Sequence, residues 1–450
     1  MNVTTQPHRF RTICAALILA TACASLAAQV APPVAAPQQT QTPEPPSLTL
    51  AQAEHLALMN NPRISIARLL QLAQGQVITE VRSRELPTAT VNLTAVDAHQ
   101  NSLITAGYLS NSSVYNRAAG GISISQMITD FGRTHDLILS AQSDSRALLN
   151  EQRATAQDVT LAVDEAFYKA LSSQAVLHVA QQTVAARQAT MDRITALAEA
   201  RLKSSLDKSF ADVELSQAKL LLLDAENSAQ ETITNLNALL GSEANQQYTL
   251  VDETPSAASP APESAEPLVQ QAFNARPDLA ALKDSYTAAR QFSAAEHALG
   301  RPAVSALASF GNTPVRASQI NSSWYGAAGV NINIPVFTGL LNSSRAHEAD
   351  LRANVAQEKI RSLRELIARD VRAAVLEAQA AYQRIQFTQQ LRDQSNLALD
   401  LAQTRYQLGL SGIVELSQAQ LAQTQGEIAY ANARYAYQTS LAVLNYQTGQ

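Results

Sequence analysis

The sequence predicts a mainly α-helical protein made of two similar halves, each of which also carries strands suited to a membrane β-barrel. No proline occurs between Pro87 and Pro255 or after Pro335, so long stretches can form uninterrupted helix. Aromatic residues make up only 5% of the 450 residues, which does not fit the large core of a globular protein. The segment VELSQAKL, which begins at Val213, recurs as VELSQAQL from Val414 and indicates a repeat.

Residues 1–28 predict an export signal. Two arginines precede a short apolar run that ends in small residues, which is the order typical of a signal peptide. Two processing sites remain open, because cleavage before Ala28 competes with a weak lipobox that would leave Cys23 lipidated. Residues 29–46 are rich in Pro, Ala, Gln and Thr and predict an extended tether that buries no core.

The first repeat is expected over residues 47–241. A proline follows Asn61 and can start a helix there, and apolar residues alternate with Ser, Thr or Asn in two later segments that predict strands. The expected elements are helices 50–60 and 62–86, strands 88–97 and 120–128, and helices 133–203 and 210–240.

The second repeat has the same expected order. A proline-rich linker over residues 242–266 leads into it, and it covers residues 267–450. Its expected elements are helices 267–275 and 277–300, strands 303–311 and 326–336, and helices 340–408 and 413–446.

The long segments predict antiparallel helical hairpins. Residues 340–408 contain neither glycine nor proline and would reach about 100 Å as one helix. Apolar residues recur along it at steps of three and four, so a partner helix must lie alongside as in a coiled coil. Each return helix is shorter than the outgoing one, so the helix over 62–86 is expected to stack end to end with the first return helix.

The strands predict a shared membrane barrel. Four strands per chain cannot close a barrel, and open strand edges in lipid leave backbone groups unpaired at several kcal/mol each. Two copies would give eight strands with a filled interior, whereas three would give twelve strands and an opening, so a homotrimer in lipid is favoured. The aromatic residues expected to form an interfacial girdle are Tyr108, Tyr115, Trp324 and Tyr325.

From Ser47 to Gly449 the chain resembles the TolC-type outer-membrane efflux proteins, the outer membrane factor family. The resemblance rests on the repeated layout, the Asn-Pro and Arg-Pro breaks, and three segments: TDFG at 129–132, PVFTG at 335–339 and YQLGLSGIVELSQA at 406–419. It implies a trimeric twelve-stranded outer-membrane barrel continuous with a periplasmic tunnel of coiled-coil helices. It also implies docking with a periplasmic membrane-fusion adaptor and an inner-membrane pump or ABC transporter.

The same resemblance implies a periplasmic aperture at the second hairpin tip. Tyr406 matches a tyrosine that helps to hold the aperture shut, and Glu415 matches the first of two acids that line it. Gln418 stands where the family has the second acid, a departure that leaves one carboxylate per chain. Three such carboxylates would favour cations, although Glu415 is equally explained as an acid in the first turn of a helix. Glu214, its counterpart in the first repeat, is expected to be a solvated structural residue.

The two hairpin turns are the implied adaptor-docking tips. Gly409 is expected to close its helix with a positive φ, which alone explains the residue, and the first turn has no glycine. The tip residues are Lys203, Ser204, Ser205, Leu206, Leu408, Gly409, Leu410 and Gly412.

Other function classes find little support in the sequence. No GxSxG, HExxH, P-loop or GxGxxG motif occurs, so neither an enzyme nor a cofactor or metal site is expected. Cys14 and Cys23 are the only cysteines, which excludes a disulfide framework, and the net charge of −5 argues against nucleic acid as a partner. The leading hypothesis is a passive export conduit, and the alternative is a periplasmic coiled-coil scaffold or adaptor without a pore.

Overall fold

The computed structural model describes residues 46–97, 103–106, 109–113, 117–242, 246–254, 260–315 and 321–450. All of them belong to one compact unit, Pro45–Gln450. The expectations for the signal peptide, the tether, Cys23, Tyr108 and Tyr115 lie outside the described residues.

The described chain is mainly helical. The helices of the first half are α1 (Leu50–Asn60), α2 (Pro62–Arg82), α3 (Arg133–Glu199) and α4 (Ser205–Leu239). Those of the second half are α5 (Glu266–Ala275), α6 (Pro277–His297), α7 (Leu341–Gln407) and α8 (Ile413–Thr448). Both α3 and α7 contain 67 residues, about 100 Å of helix each. Within the described ranges, none of the helices has a stretch apolar enough to cross a bilayer.

Several helix ends differ from the sequence-based bounds. The second helix of each half stops early and continues as one 3-10 turn, Ser83–Glu85 or Ala298–Gly300. Both turns stand just before a proline, and the residue that precedes a proline is disfavoured in the α conformation. The first hairpin turn is also shorter than expected, since α3 ends at Glu199 and α4 already begins at Ser205.

Four strands form one antiparallel sheet in the order β2-β5-β7-β8. The strands of the unit are β1 (Ser47–Leu48), β2 (Thr88–Val96), β3 (Leu103–Ala106), β4 (Leu109–Ser113), β5 (Arg117–Thr129), β6 (Thr249–Leu250), β7 (Ala303–Val315) and β8 (Trp324–Asn333). The β3–β4 pair lies between the two strands expected in the first half and was not itself expected. Strand β8 ends at Asn333 and not at residue 336, because Pro335 has no N–H to donate to a ladder.

The register gives this sheet two chemically different faces. Ile122 pairs with Val91 on one side and with Phe310 on the other, and all three project from the same face. Apolar residues of that face include Ala89, Leu93, Ile124, Val304, Val330 and Ile332. Thr88, Thr90, Ser123, Ser125, Ser309 and Asn331 lie on the opposite face. The alternation read from the sequence therefore corresponds to one apolar and one polar sheet surface.

The return helices α4 and α8 end beside the break between the two short helices of each half. Asn61 Nδ2 donates to the Leu239 carbonyl at 3.1 Å, which joins the start of α2 to the end of α4. Arg276 Nη1 donates to Gln447 Oε1 at 2.6 Å and joins the start of α6 to the end of α8 in the same way. Because α2 and α4 both pack on α3, the expected end-to-end arrangement is present. These two helix joints, α2 with α4 and α6 with α8, lie at the same height along α3. Asp158 of α3 contacts both, since it accepts from Tyr446 Oη of α8 at 2.6 Å and lies 4.0 Å from Arg63 of α2.

The helices form four adjacent columns. Helix α3 contacts α2 and α4 on one side and α6 and α8 on the other, and α6 and α8 in turn contact α7. One edge of the helical layer is therefore α2 with α4, and the other edge is α7. The sheet follows the same order, because its edge strand β2 continues from α2 and its other edge strand β8 leads into α7.

The largest buried cluster lies where α1 and the β1–β6 pair pack on α3 and α4. Phe167 and Val163 of α3 and Leu236 of α4 are each at most 2% exposed. Ala53 and Ala57 of α1 are fully buried against them, and their small side chains allow α1 to lie close to α3. The other buried clusters are small and distributed along the helices.

Candidate functional site

The two hairpin turns at the ends of α3 and α7 have the same backbone conformation. At the second turn Gly409 has a φ of 71°, and the Leu410 N–H donates to the Arg405 carbonyl at 2.8 Å. At the first turn Arg201 has a φ of 59°, and the Leu202 N–H donates to the Leu197 carbonyl at 2.8 Å. Both are Schellman-type helix ends, with an arginine where the second turn has glycine. The sequence carries no signal for this, because a non-glycine residue rarely adopts a positive φ.

The return helix of the first hairpin starts with a capping box. Ser204 Oγ accepts from the Leu206 N–H at 3.1 Å, and Asp207 Oδ2 accepts from the Ser204 N–H at 3.2 Å. This cap explains why α4 begins five residues before the expected residue 210. The spacing of Ser204 and Asp207 was a readable signal. Gly412 stands at the corresponding cap of α8, where it has no side chain that could accept a hydrogen bond.

Large apolar side chains are exposed at both tips. Leu202, Leu206, Leu408 and Leu410 are between 62% and 71% exposed. Each tip carries two of them, so each hairpin ends in a pair of uncovered leucines. Exposed apolar residues that cluster in this way mark contact surfaces more often than scattered ones do.

Tyr406 is buried between the two hairpins. Only 6% of it is exposed, and it packs with Ile194 and Ala211 of the first hairpin and with Ile413 and Leu416 of the second. Its hydroxyl is buried and has no hydrogen-bond partner among the described residues.

Lys203 of the first turn contacts the buried tyrosine. Its Nζ lies 4.2 Å from the centroid of the Tyr406 ring, within the range of a cation–π interaction. Lys203 therefore joins the first turn to the second hairpin. Sequence reasoning had not paired these two residues.

Glu415 and Gln418 lie apart from Tyr406, on the exposed surface of α8. They are three residues apart and share one side of the helix. The Glu415 carboxylate forms an ion pair with Arg405, whose Nε lies 3.0 Å from it, and the Glu415 side chain is 47% exposed. The three implied aperture residues are thus divided between a buried ring and a solvent-exposed polar surface.

Glu214 is not the solvated residue that was expected. Its Oε2 lies 3.4 Å from Nη2 of Arg187, which is only 5% exposed. Burial lowers the pKa of the Arg187 guanidinium, and the nearby Glu214 carboxylate opposes that effect. Glu214 therefore forms an ion pair with a buried arginine inside the first hairpin. The two residues lie 27 positions apart in the sequence, so local sequence patterns do not reveal their contact.

The two aromatic residues at the start of β8 lie on opposite faces of the sheet. Trp324 stacks on Phe310 of the apolar face with a centroid distance of 5.3 Å. Tyr325 lies on the polar face and covers Gly121 and Gly311, where a Cβ atom would collide with its hydroxyl. The girdle role expected of both residues stays a prediction.

A carboxyl pair lies beside a cavity of about 360 Å³ between α1, α3 and α8. Asp164 and Glu54 both line it, and so does Tyr446. Burial and the Glu54 carboxylate raise the pKa of Asp164 to about 7, so the pair retains a proton close to neutral pH. Across the described ranges, no group of three or more residues is arranged to hold a metal ion.

Comparison with known proteins gives consistent matches. The sequence model of the family described as "Outer membrane efflux protein" matches residues 54–242 and 268–450. The outer membrane protein TolC of Vibrio cholerae is 24% identical over 416 residues, which cover 89% of this chain and 90% of that protein. The outer-membrane channel OprN superposes with a TM-score of 0.76 at 19% identity, over 89% of both chains. The outer membrane protein VceC of Vibrio cholerae has the same TM-score and identity, over 89% of this chain and 96% of its own.

Proposed function

Because the chain belongs to the outer membrane efflux protein family, we propose that it is the outer-membrane channel of a tripartite efflux or type I secretion system. It is an outer-membrane protein whose long helices extend into the periplasm. It acts as a passive homotrimeric conduit and not as an enzyme. It docks with a periplasmic membrane-fusion adaptor and, through that adaptor, with an inner-membrane pump or ABC transporter.

The observation that carries this proposal is the pair of open edges on the unit. Strand β2 and helices α2 and α4 form one edge, and strand β8 and helix α7 form the other. Because the two edges of one subunit differ, they support a head-to-tail interface between copies. Such an interface closes into a ring when the rotation from one subunit to the next adds up to a full turn. Adjacent strands within the sheet are antiparallel, so β8 of one copy would continue the sheet by pairing antiparallel to β2 of the next. Three copies would close a barrel of twelve strands and leave an opening.

The helical edges support the same ring. Exposed apolar residues follow α4 at steps of three, four and seven, which is the spacing of a coiled-coil seam. On the first edge they are Ile66, Leu69, Leu70, Leu206, Phe210, Val213 and Leu220. On α7 they are Leu351, Val355, Phe387, Leu391 and Leu401. Neither seam is covered by another part of the chain that the structure describes, and the opposite edge of another copy would supply a partner of matching character.

The polar face of the sheet supports a water-filled lumen. A hollow of about 420 Å³ lies on its polar face, between side chains such as Thr90, Ser123 and Ser309. Hydroxyl side chains of this kind suit a wet interior, so the polar surface would line the pore. The apolar surface, with Trp324 near its end, would then face lipid.

The helical ends support the periplasmic roles. The four exposed leucines of the tips are suited to contact adaptor helices, and Gly409 keeps the second turn compact. Glu415 and Gln418 would line the aperture, where one carboxylate from each of three chains favours cations. The neighbouring Arg405 moderates that charge. Corresponding helices of the two halves have nearly equal lengths: α3 and α7 have 67 residues each, and α4 and α8 have 35 and 36. This supports a duplicated origin of the two halves.

Planar-bilayer recording of the purified protein tests the conduit. Stepwise single-channel conductance is expected, and its absence from correctly folded trimers would favour the poreless scaffold.

The Leu220→Asp variant places a charge in the α4 seam and should convert trimers into monomers on native mass spectrometry. The Lys219→Asp variant also places an acid on the exposed surface of α4, about 100° around the helix from Leu220, and is the matched control that should remain trimeric. Trimers that survive Leu220→Asp would contradict the proposed seam.

A further inference from the structure

The two hairpins of one chain are joined by few polar contacts. Ser172 Oγ donates to Asn432 Oδ1 at 2.8 Å, and Thr183 lies 3.4 Å from Thr424 nearer the tips. At the tips the Tyr406 ring packs on Ile194 and Ala211 of the first hairpin, and the Lys203 ammonium adds a cation–π contact to that ring. This contact therefore stands at the point where separation of the hairpins would be greatest.

The ring of Tyr406, and not its hydroxyl, makes the contacts across this junction. The hydroxyl is buried without a hydrogen-bond partner among the described residues. The ring packs on Ile194 and Ala211 of the first hairpin and receives the Lys203 ammonium on its face. A buried hydroxyl with no partner carries a desolvation cost and stabilises nothing by itself.

The first turn holds Lys203 in a defined position. Arg201, with its φ of 59°, reverses the chain just before it, and the Ser204 capping box starts α4 just after it. Arg405, a cation next to the tyrosine in the sequence, is engaged by Glu415 on the exposed side of α8. Lys203 is thus the cation that the backbone presents to the ring.

We propose that Lys203 is a positioning residue of the channel, which holds the two hairpin tips of each chain together through its ammonium group over the ring of Tyr406. The inference rests on the proposed conduit function, in which tip separation widens the periplasmic aperture. Loss of the ammonium should raise the equilibrium constant for tip separation by about 3-fold to 30-fold per chain, the range expected for an exposed to a desolvated cation–π contact.

The test uses the full-length trimer in lipid with two readouts. Pulsed electron paramagnetic resonance measures the distance between spin labels at Ser209 and Leu410, and bilayer recording measures open probability. Lys203→Met should add a longer-distance population and raise open probability, whereas Lys203→Arg should retain the wild-type values. Lys208→Met removes an exposed lysine from the first turn of α4 and is the matched control, with no change expected.

Variants of the tyrosine separate the ring from the hydroxyl. Tyr406→Phe keeps the ring and should behave as wild type in both readouts, whereas Tyr406→Leu should resemble Lys203→Met. If Tyr406→Phe separates the tips as far as Tyr406→Leu does, the hydroxyl holds the junction and the inference fails. Unchanged distances in Lys203→Met would also overturn it. Failure of the conduit is distinguishable, because it would abolish conductance in the wild type while the distance measurement still reports on the tips.

Discussion

Alanine at Gly409 should loosen the second hairpin turn without any steric clash. A Cβ atom built at this glycine meets no atom within 4 Å, so the cost is confined to the backbone, whose φ is 71°. A left-handed conformation costs a residue with a side chain about 1–2 kcal/mol, and the smaller freedom of alanine in the open state returns about 0.4–1 kcal/mol. The net loss is about 1 kcal/mol, which corresponds to roughly a fivefold increase in local opening.

The first turn offers the reverse substitution. Arg201 has the same left-handed conformation and an exposed side chain, so Arg201→Gly relieves the backbone strain without loss of packing. Local opening should therefore decrease about fivefold. Gly75→Ala is the control for glycine itself, because this residue lies inside α2 with open space around it and alanine there should strengthen the helix.

Hydrogen exchange by mass spectrometry reads both turns. The reporting amides are those of Leu410 and Leu202, each of which donates to a carbonyl of the preceding helix at 2.8 Å. Exchange should be about five times faster at Leu410 in Gly409→Ala and about five times slower at Leu202 in Arg201→Gly. Unchanged exchange at Leu410 in Gly409→Ala would refute the reasoning, since the turn in solution would then not require a positive φ.

Three further substitutions probe the buried groups. Burial and the Glu54 carboxylate raise the pKa of Asp164 from 3.8 to about 7, so the folded protein binds a proton that the unfolded chain releases above about pH 4. This stabilisation is complete below pH 4 and is lost as the pH rises through 7; the melting temperature should fall over that range, and Asp164→Asn should flatten the fall in differential scanning calorimetry. Glu214→Ala leaves Arg187 buried and unpaired and should cost about 3 kcal/mol in chemical denaturation, whereas replacement of both residues by apolar side chains should cost much less. Leu236→Ala empties a fully buried site and should also cost about 3 kcal/mol by the same measurement, and a loss below 1 kcal/mol would show that the site collapses.

Much of the fold follows from punctuation and periodicity in the sequence. Proline breaks and the absence of glycine defined the long helices, because both signals act locally on the backbone. Alternation separated the sheet faces, and the same rule would have divided Trp324 from Tyr325, since adjacent strand residues point to opposite sides. The helix ends at the first turn were misplaced, because the conformation of Arg201 is set by the closed hairpin and not by its own preference.

The site was less accessible from sequence than the fold. The tip residues came from a resemblance, which identified positions but not their surroundings. Lys203 and Tyr406 are about two hundred positions apart, so their contact depends on how two long hairpins lie side by side. The pairing of Glu214 with Arg187 likewise depends on the register between α3 and α4, which periodicity alone leaves open by whole turns.

The shared level of the two helix joints has a mechanical consequence. At the height of Asp158 two of the four columns are interrupted, and only α3 and α7 pass through without a break. Bending stiffness is therefore lowest at that height, and the hydrogen bonds of Asn61 and Arg276 across the joints resist sliding more than they resist flexing. Swinging of the hairpins would be absorbed there by a small curvature in two continuous helices, so the strain would not reach the sheet.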